Sequence, residues 1–344
     1  MGNSEIPMVF GRKPSLPCIY GDTPSFLGCP VIKSADEIKE YDIVIMGVPW
    51  EGTITWGSYS GCELAPKAIR HASARYGGFL PEFGLDLFDY LRVGDFGDVS
   101  IEPSSAEITM RRVYRKAMKV YRGGAVPFSL GGDHSFTPEI VRAMAEHTAG
   151  NIGIVHFDAH FDNTGKFGDD LYPRCGPIYR LAQIPQVKTT SIVQVGIRGP
   201  RNAPVQAEYS KAIGASVYTI KDIRELGIEE VISQAIDIAY SGTEHVYVTI
   251  CSDAIDVAFN PGGPIDFDGL TTHEMFYALH RLGEEGIAGL DFVESYPLQD
   301  ANGTSSHLAS WAFIHALVGM AIRKKVNAPL LTGISDMVEL STAE

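Results

Sequence analysis

Short apolar runs alternate with amphipathic helical segments along most of this 344-residue chain, and that alternation limits the fold more than any other feature. Asp42–Val48, Ala125–Leu130, Asn151–Phe157, Ser191–Val195, Ala215–Thr219, His245–Ile250 and Gly286–Phe292 read as strands. Ala65–Ala74, Ile108–Arg122, Pro138–His147, Ile228–Tyr240, Thr271–Leu282 and Ser306–Lys324 read as helices. Pro66 suits a first helical turn, and Val113, Ala117 and Val120 recur at helical spacing. Strands joined through helices pair in parallel, and a parallel sheet needs both faces covered. No repeat or linker divides the chain. Residues 41–344 therefore read as a single domain. Residues 1–40, rich in Pro, Gly and Ser, read as an extended N-terminal arm over the fold or across a partner subunit.

Charge and cysteine usage narrow the class. A net charge of −14 argues against nucleic acid, because displacing counterions from phosphates needs clustered Lys and Arg. It suits a cationic small molecule, although solubility alone also explains it. The five cysteines form no CxxC pair and are odd in number, so the expectation is a reducing cytoplasm. No run approaches the 18 apolar residues of a membrane span, and no signal pattern opens the chain.

Three strands run into turns loaded with chemistry. Gly131–Ser135 reads GGDHS; its glycines allow a sharp turn that presents His134. Alone, that motif describes an N-cap and a core histidine equally well. His156–Asp162 reads HFDAHFD and places Asp158, His160 and Asp162 at i, i+2 and i+4. Three titratable groups so close are costly to bury without a cation. Carboxylate and imidazole suit hard or borderline divalent ions, so Mn²⁺, Ni²⁺ or Zn²⁺ is the expected cofactor. The third turn reads ThrIleCysSerAspAlaIleAsp at Thr249–Asp256, then ValAlaPheAsnProGly at Val257–Gly262. Every one of these lies at the C-terminal end of a strand, where ligands bind in open α/β sheets.

The chain resembles the ureohydrolase family (arginase, agmatinase and relatives) through GGDHS, DAHFD and the third segment. The resemblance spans about Asp42 to Lys324. It implies a three-layer α/β/α fold, trimers or hexamers, and two metals that activate a water to split a guanidino group into urea and an amine. Carried over residue by residue, Asp158 bridges both metals, His134 and Asp162 hold one, and His160 and Asp253 hold the other. Glu294, in AspPheValGluSer, matches the acidic residue that receives the guanidinium, and a carboxylate forms a good bidentate pair with such a planar cation. Arg198, in ValGlyIleArg, matches a family position too and reads as structural.

The departures are as informative. Cys251 stands where the family uses a second bridging aspartate, offering one soft sulfur in place of two hard oxygens. Cys175, in ArgCysGlyPro at Arg174–Pro177, stands where the family has a proton-shuttling histidine; a thiol is a poor substitute near neutral pH. Gly57–Cys62 lacks the arginine that agmatinases have there. The candidate catalytic residues are thus Asp162, Glu294 and Cys175, and the candidate metal ligands His134, Asp158, His160, Asp162, Asp253 and Cys251. Three readings stay open. The leading one is a catalytically reduced subunit of a heteromeric hydrolase of substituted guanidines or biguanides such as metformin, paired with an intact homologous ureohydrolase subunit, a reading under which its own metal site need not be filled. The others are a self-sufficient agmatinase-like hydrolase with an altered Ni or Zn site, and a non-catalytic guanidinium-binding protein.

Overall fold

The computed structural model describes residues 23–53 and 60–327. In chain order its first half comprises β1 (Ile43–Gly47), α1 (Ala65–Ser73), β2 (Phe79–Leu80), β3 (Leu85–Asp86), β4 (Val93–Asp98), α2 (Ala106–Arg122), β5 (Val126–Leu130), α3 (Thr137–His147) and β6 (Ile152–Phe157). The second half adds α4 (Pro177–Leu181), β7 (Val187–Ile197), α5 (Pro204–Ala212), β8 (Ser216–Thr219), α6 (Ile220–Leu226), α7 (Ile228–Ala239), β9 (His245–Cys251), α8 (Thr272–Glu285), β10 (Gly289–Val293) and α9 (Thr304–Asn327). Eight strands form one sheet in the order β4-β1-β5-β10-β9-β6-β7-β8. Every pairing within it is parallel. β2 and β3 make a small antiparallel pair outside it.

Alternation along the strands explains the layering. Ile43 and Ile45 point into one apolar cluster with α1, α7, α8 and α9, while Val44 and Met46 point into a second with α2 and α3. Both faces are therefore buried, which is why the strands read as continuous apolar runs. The result is a parallel sheet between two helical layers, as expected.

Local signals set the helix ends. Ser105 Oγ accepts the Ile108 N–H at 3.2 Å, so α2 begins at Ala106, two residues before its apolar stripe suggested. Thr271 and Glu274 form a reciprocal capping box at the start of α8. Strand β4 escaped the sequence reading because ValGlyAspPheGlyAsp carries two glycines and two aspartates. It sits at the edge of the eight-stranded sheet, paired with β1 on one side and held by a single parallel bridge to Val31 on the other. Helices α4 and α6, 5 and 7 residues long, are too short to show a period, and α5 buries only Ser210 among its 9 residues and so carries no apolar stripe.

Within the stretch read as an arm, residues 23–40 lie along β4 and α1. The Phe26 N–H reaches Asp95 Oδ2 at 2.8 Å, and the Leu27 N–H reaches Ser73 Oγ at 2.9 Å. The Phe26 ring meets Phe313 of α9 at 5.7 Å between centroids. Helix α9 has a stretch, Thr304–Val326, with the length and composition of a membrane span, but 78% of its most apolar window is buried. It packs on α8 and α1. Core burial accounts for its apolar character.

Candidate metal and guanidinium site

Four adjacent central strands, β5, β10, β9 and β6, end beside one another, and each delivers a candidate residue into the same region. β5 leads to His134, β6 to Asp158–Asp162, β9 to Cys251 and Asp253, and β10 to Glu294. The strand of the HFDAHFD run stops at Phe157, so strand alternation does not aim its acids. A turn does: Asp162 adopts a left-handed φ of 46°, which folds its carboxylate back toward Asp158.

On one side, His134 Nδ1 lies 3.3 Å from Asp158 Oδ2 and 3.1 Å from Asp162 Oδ2. Among the described residues that nitrogen has no conventional hydrogen bond, although the ring is fully buried. Its other nitrogen is fixed. His134 Nε2 meets Thr249 Oγ1 at 2.8 Å, and that hydroxyl donates to Asp291 Oδ1 at 2.5 Å. Because the hydroxyl's hydrogen is committed to Asp291, its oxygen accepts from Nε2–H, which leaves Nδ1 facing the two carboxylates. Thr137 and Tyr247 each donate to Asp291 Oδ2 at 2.8 Å and complete the brace. Asp158 is also gripped by His156, whose Nε2 lies 3.0 Å from Oδ2. Gln194 Nε2 holds the far side of the His156 ring at 3.1 Å.

On the other side, His160 Nδ1 lies 3.1 Å from Asp253 Oδ2 and 3.3 Å from Asp158 Oδ1. Its Nε2 faces Asp266 Oδ2 at 3.4 Å, and Asp266 is ion-paired with Arg201. Potential ligand atoms of Asp158, Cys251 and Asp253 lie within 4.8 Å of one another. All six candidate metal ligands are thus brought together, in sets that share Asp158. Two nitrogens and several carboxylate oxygens aimed at common points need a positive charge between them, so the donor set fits divalent cations.

Electrostatics follow that crowding. Burial works against the His160 imidazolium, but Asp253 and Asp158 outweigh it and raise the ring to about 10. Burial raises the Asp158 carboxyl, yet hydrogen bonds from His134, His156 and His160 win and hold it well below the usual range. The Cys251 thiol is pushed well up by burial and by the Asp158 and Asp253 charges. Burial raises Cys175 to about 11, and Asp162 adds to it.

Glu294 is placed differently. It too adopts a left-handed φ, 60°, and is 4% exposed. Its Oε1 accepts the His134 N–H at 2.9 Å, and its Oε2 accepts the Tyr296 hydroxyl at 2.6 Å. Arg174 Nη1 stands 3.1 Å from that same Oε2. Arg174 Nη2 lies 3.3 Å from Glu51 Oε1 and 3.7 Å from Asp133 Oδ2, and its Nε donates to the Thr53 carbonyl at 3.2 Å. Burial lifts the Glu294 carboxyl to about 7 against the pull of Arg174.

A cleft of about 530 Å³ opens over these groups, lined by His160, Asp162, Arg174, Cys175, Arg201, Cys251, Asp253 and Glu294, with Phe167, Val205 and Pro264 as apolar walls. Arg198 lies beneath, spending its guanidinium on backbone carbonyls, including Asp253 O at 2.6 Å and Phe267 O at 2.8 Å. Of the loop Gly57–Cys62, residues 57–59 lie outside the described residues.

Sequence reasoning missed His156, Asp266, the Thr249–Asp291 brace, and Arg174 with Glu51. His156, the next-to-last residue of β6, stands two residues before Asp158 at the head of the same run, and that proximity could have found it. Arg174 sits beside the noted Cys175, but nothing local says that it crosses to Glu294. Asp266 arrives from a loop without any spacing signal.

Comparison with known proteins places the chain in a family. The Arginase family profile matches residues 41–319. Guanidinopropionase of Pseudomonas aeruginosa is 29% identical over 83% of this chain and 88% of its own length. Proclavaminate amidinohydrolase of Streptomyces clavuligerus is 30% identical over 85% and 91%. Its solved structure superposes with a TM-score of 0.79 over 89% of this chain and 99% of its own, at 28% identity. The structure of formimidoylglutamase from Bacillus subtilis gives 0.77 over 81% and 87%, at 26% identity. With a matching profile across most of its length and a matching fold, the chain belongs to the arginase family.

Proposed function

We propose that this chain is a catalytically reduced subunit of a metal-dependent ureohydrolase that releases urea and an amine from a guanidine-type compound, such as a substituted guanidine or biguanide. It works beside an intact paralogue in a trimer or hexamer. One observation carries the reading: the Cys251 thiol occupies the donor group that contains Asp158 and Asp253. A single soft sulfur at that position, where a carboxylate would offer two hard oxygens, is a weak ligand for a hard cation.

His134, Asp158 and Asp162 would hold one divalent ion, and His160, Asp158, Asp253 and Cys251 a second. Bound there, such ions supply Lewis-acid polarisation and activation of water. The chain's own residues would do the rest. Glu294 would orient a guanidinium, and the residue at position 175 would relay a proton to the leaving amine. A thiol raised to about 11 serves that relay badly near neutral pH. Both departures lie in the chemistry, while the brace behind His134 is complete. That contrast supports a retained scaffold with a relaxed site.

A second reading is favoured by the same donor group, since its three ligand atoms are close enough to take a soft ion. In it the chain is a self-sufficient hydrolase using Ni²⁺ or Zn²⁺ with Cys251 as ligand. Metal content of the lone chain, assayed together with urea release from a panel of guanidines, separates the two. The first expects an incomplete metal complement and no urea, and a recovered second metal in Cys251→Asp/Cys175→His. A full complement that is lost in Cys251→Ala, with urea produced by the wild type, would establish the second.

A further inference from the structure

Three buried or nearly buried carboxylates, Glu294, Glu51 and Asp133, converge on a single cation, the Arg174 guanidinium. The seat is built in detail. Glu51 is oriented by the N–H groups of Ser60 and Gly61, both at 2.9 Å, and Asp133 by the Gly52 N–H at 2.6 Å. Glu294 is oriented by the His134 N–H and the Tyr296 hydroxyl. These acids engage separate nitrogens of one group, Nη1 by Glu294 and Nη2 by Glu51 and Asp133, which suits a guanidinium fork better than a compact ammonium. Arg174 fills it from a constrained turn. The Gly176 N–H closes onto the Pro173 carbonyl at 3.0 Å, the Thr164 N–H donates to the Cys175 carbonyl at 2.9 Å, and α4 starts at Pro177.

We infer that Arg174 is a resident guanidinium: the chain's own side chain occupies the seat that Glu294, Glu51 and Asp133 form for such a cation, and closes it to ligands from the cleft. The inference rests on the reading of Glu294 as a guanidinium acceptor and deepens it. It gives the turn Arg174–Cys175–Gly176 one meaning in place of two unrelated changes, since the turn that lacks the shuttling histidine also delivers the plug. An arginine filling such a seat blocks turnover whatever the metals do, because the substrate's guanidino group has nowhere to dock. A purely structural ion pair would stabilise the fold equally well. It would not leave behind a pocket open to the cleft and selective for guanidinium when removed.

The probe is methylguanidinium, with tetramethylammonium and urea as controls, titrated by calorimetry into the full chain and its variants. The wild type is expected not to bind it. Arg174→Ala is expected to bind it at least about tenfold more tightly than any residual binding by the wild type, a difference of about 1.4 kcal/mol. The controls should not bind, and adding Glu294→Gln to the variant should abolish the signal. Two results would overturn the inference: no methylguanidinium binding by Arg174→Ala, or wild-type binding that Glu294→Gln removes, which would show the seat open. Should Arg174→Ala not fold, Arg174→Gln keeps much of the volume and takes its place under the same criteria. Metal content of the wild type bears on the reduced-site reading alone, and this titration on the seat alone, so each can fail without the other.

Discussion

The two halves of the site differ in a way that separates scaffold from chemistry. At the ends of β5 and β6, His134, Asp158 and Asp162 form a donor set backed by His156, Thr249 and Asp291, every one of them buried. At the ends of β9 and β10, Cys251 has entered the donor group and Arg174 holds Glu294. The first half presents carboxylates and imidazoles together with the hydrogen bonds that aim them. The second sets Glu294 on a left-handed backbone and offers a thiol beside a carboxylate already paired with Arg174. Strand ends and braces are expensive to alter because the core depends on them; side chains facing a cleft are not.

Substitutions can break that comparison, and the largest effect is expected at Asp158. It receives His134, His156 and His160, so Asp158→Ala strands two buried rings and a third that is nearly so, and should cost about 3–5 kcal/mol. Cys251→Ala removes only a small buried thiol and should cost about 1–2 kcal/mol. Urea denaturation of both variants measures the gap. Similar losses would mean that the halves are not unequal as described.

The next effect probes the brace. Thr249→Val deletes the hydroxyl between His134 Nε2 and Asp291 and should cost about 1–3 kcal/mol. It should also weaken binding of the first metal about 10–100-fold, read by competition with a chelator. Unchanged metal affinity would show that the brace does not aim the ring.

An off-site control completes the comparison. His315 stacks on Phe276 at 4.5 Å, and burial lowers it to about 4 despite nearby Glu82. A group whose folded pKa is depressed resists protonation, so its contribution is present above the unfolded value near 6.5 and is lost as pH falls toward 4. His315→Phe keeps an aromatic ring and should flatten the stability profile across that window. An unchanged profile would assign the acid sensitivity to the site.

Much of this was legible in the chain. The strands of the two buried faces showed themselves as apolar runs, and GGDHS and HFDAHFD placed His134, Asp158, His160 and Asp162 correctly at strand ends. Cys251 was visible as a departure because it sits in a motif with its neighbours. What stayed hidden is what comes from far away in sequence. Arg174 and Glu294 are 120 residues apart, Arg174 and Glu51 123, and His134 and Thr249 115. Such pairings depend on how loops return over the sheet, which periodicity does not encode. Edge strand β4 was hidden for another reason: with few apolar residues it relies on its neighbour rather than its own pattern.

The central claim, an intact first half beside an altered second half, is tested most directly by counting metals in the purified wild type and in Cys251→Asp by mass spectrometry. The account expects the wild type to hold fewer than about two ions per chain, and the aspartate variant to gain the missing one. A wild type carrying about two tightly bound ions, with no gain on substitution, would contradict it.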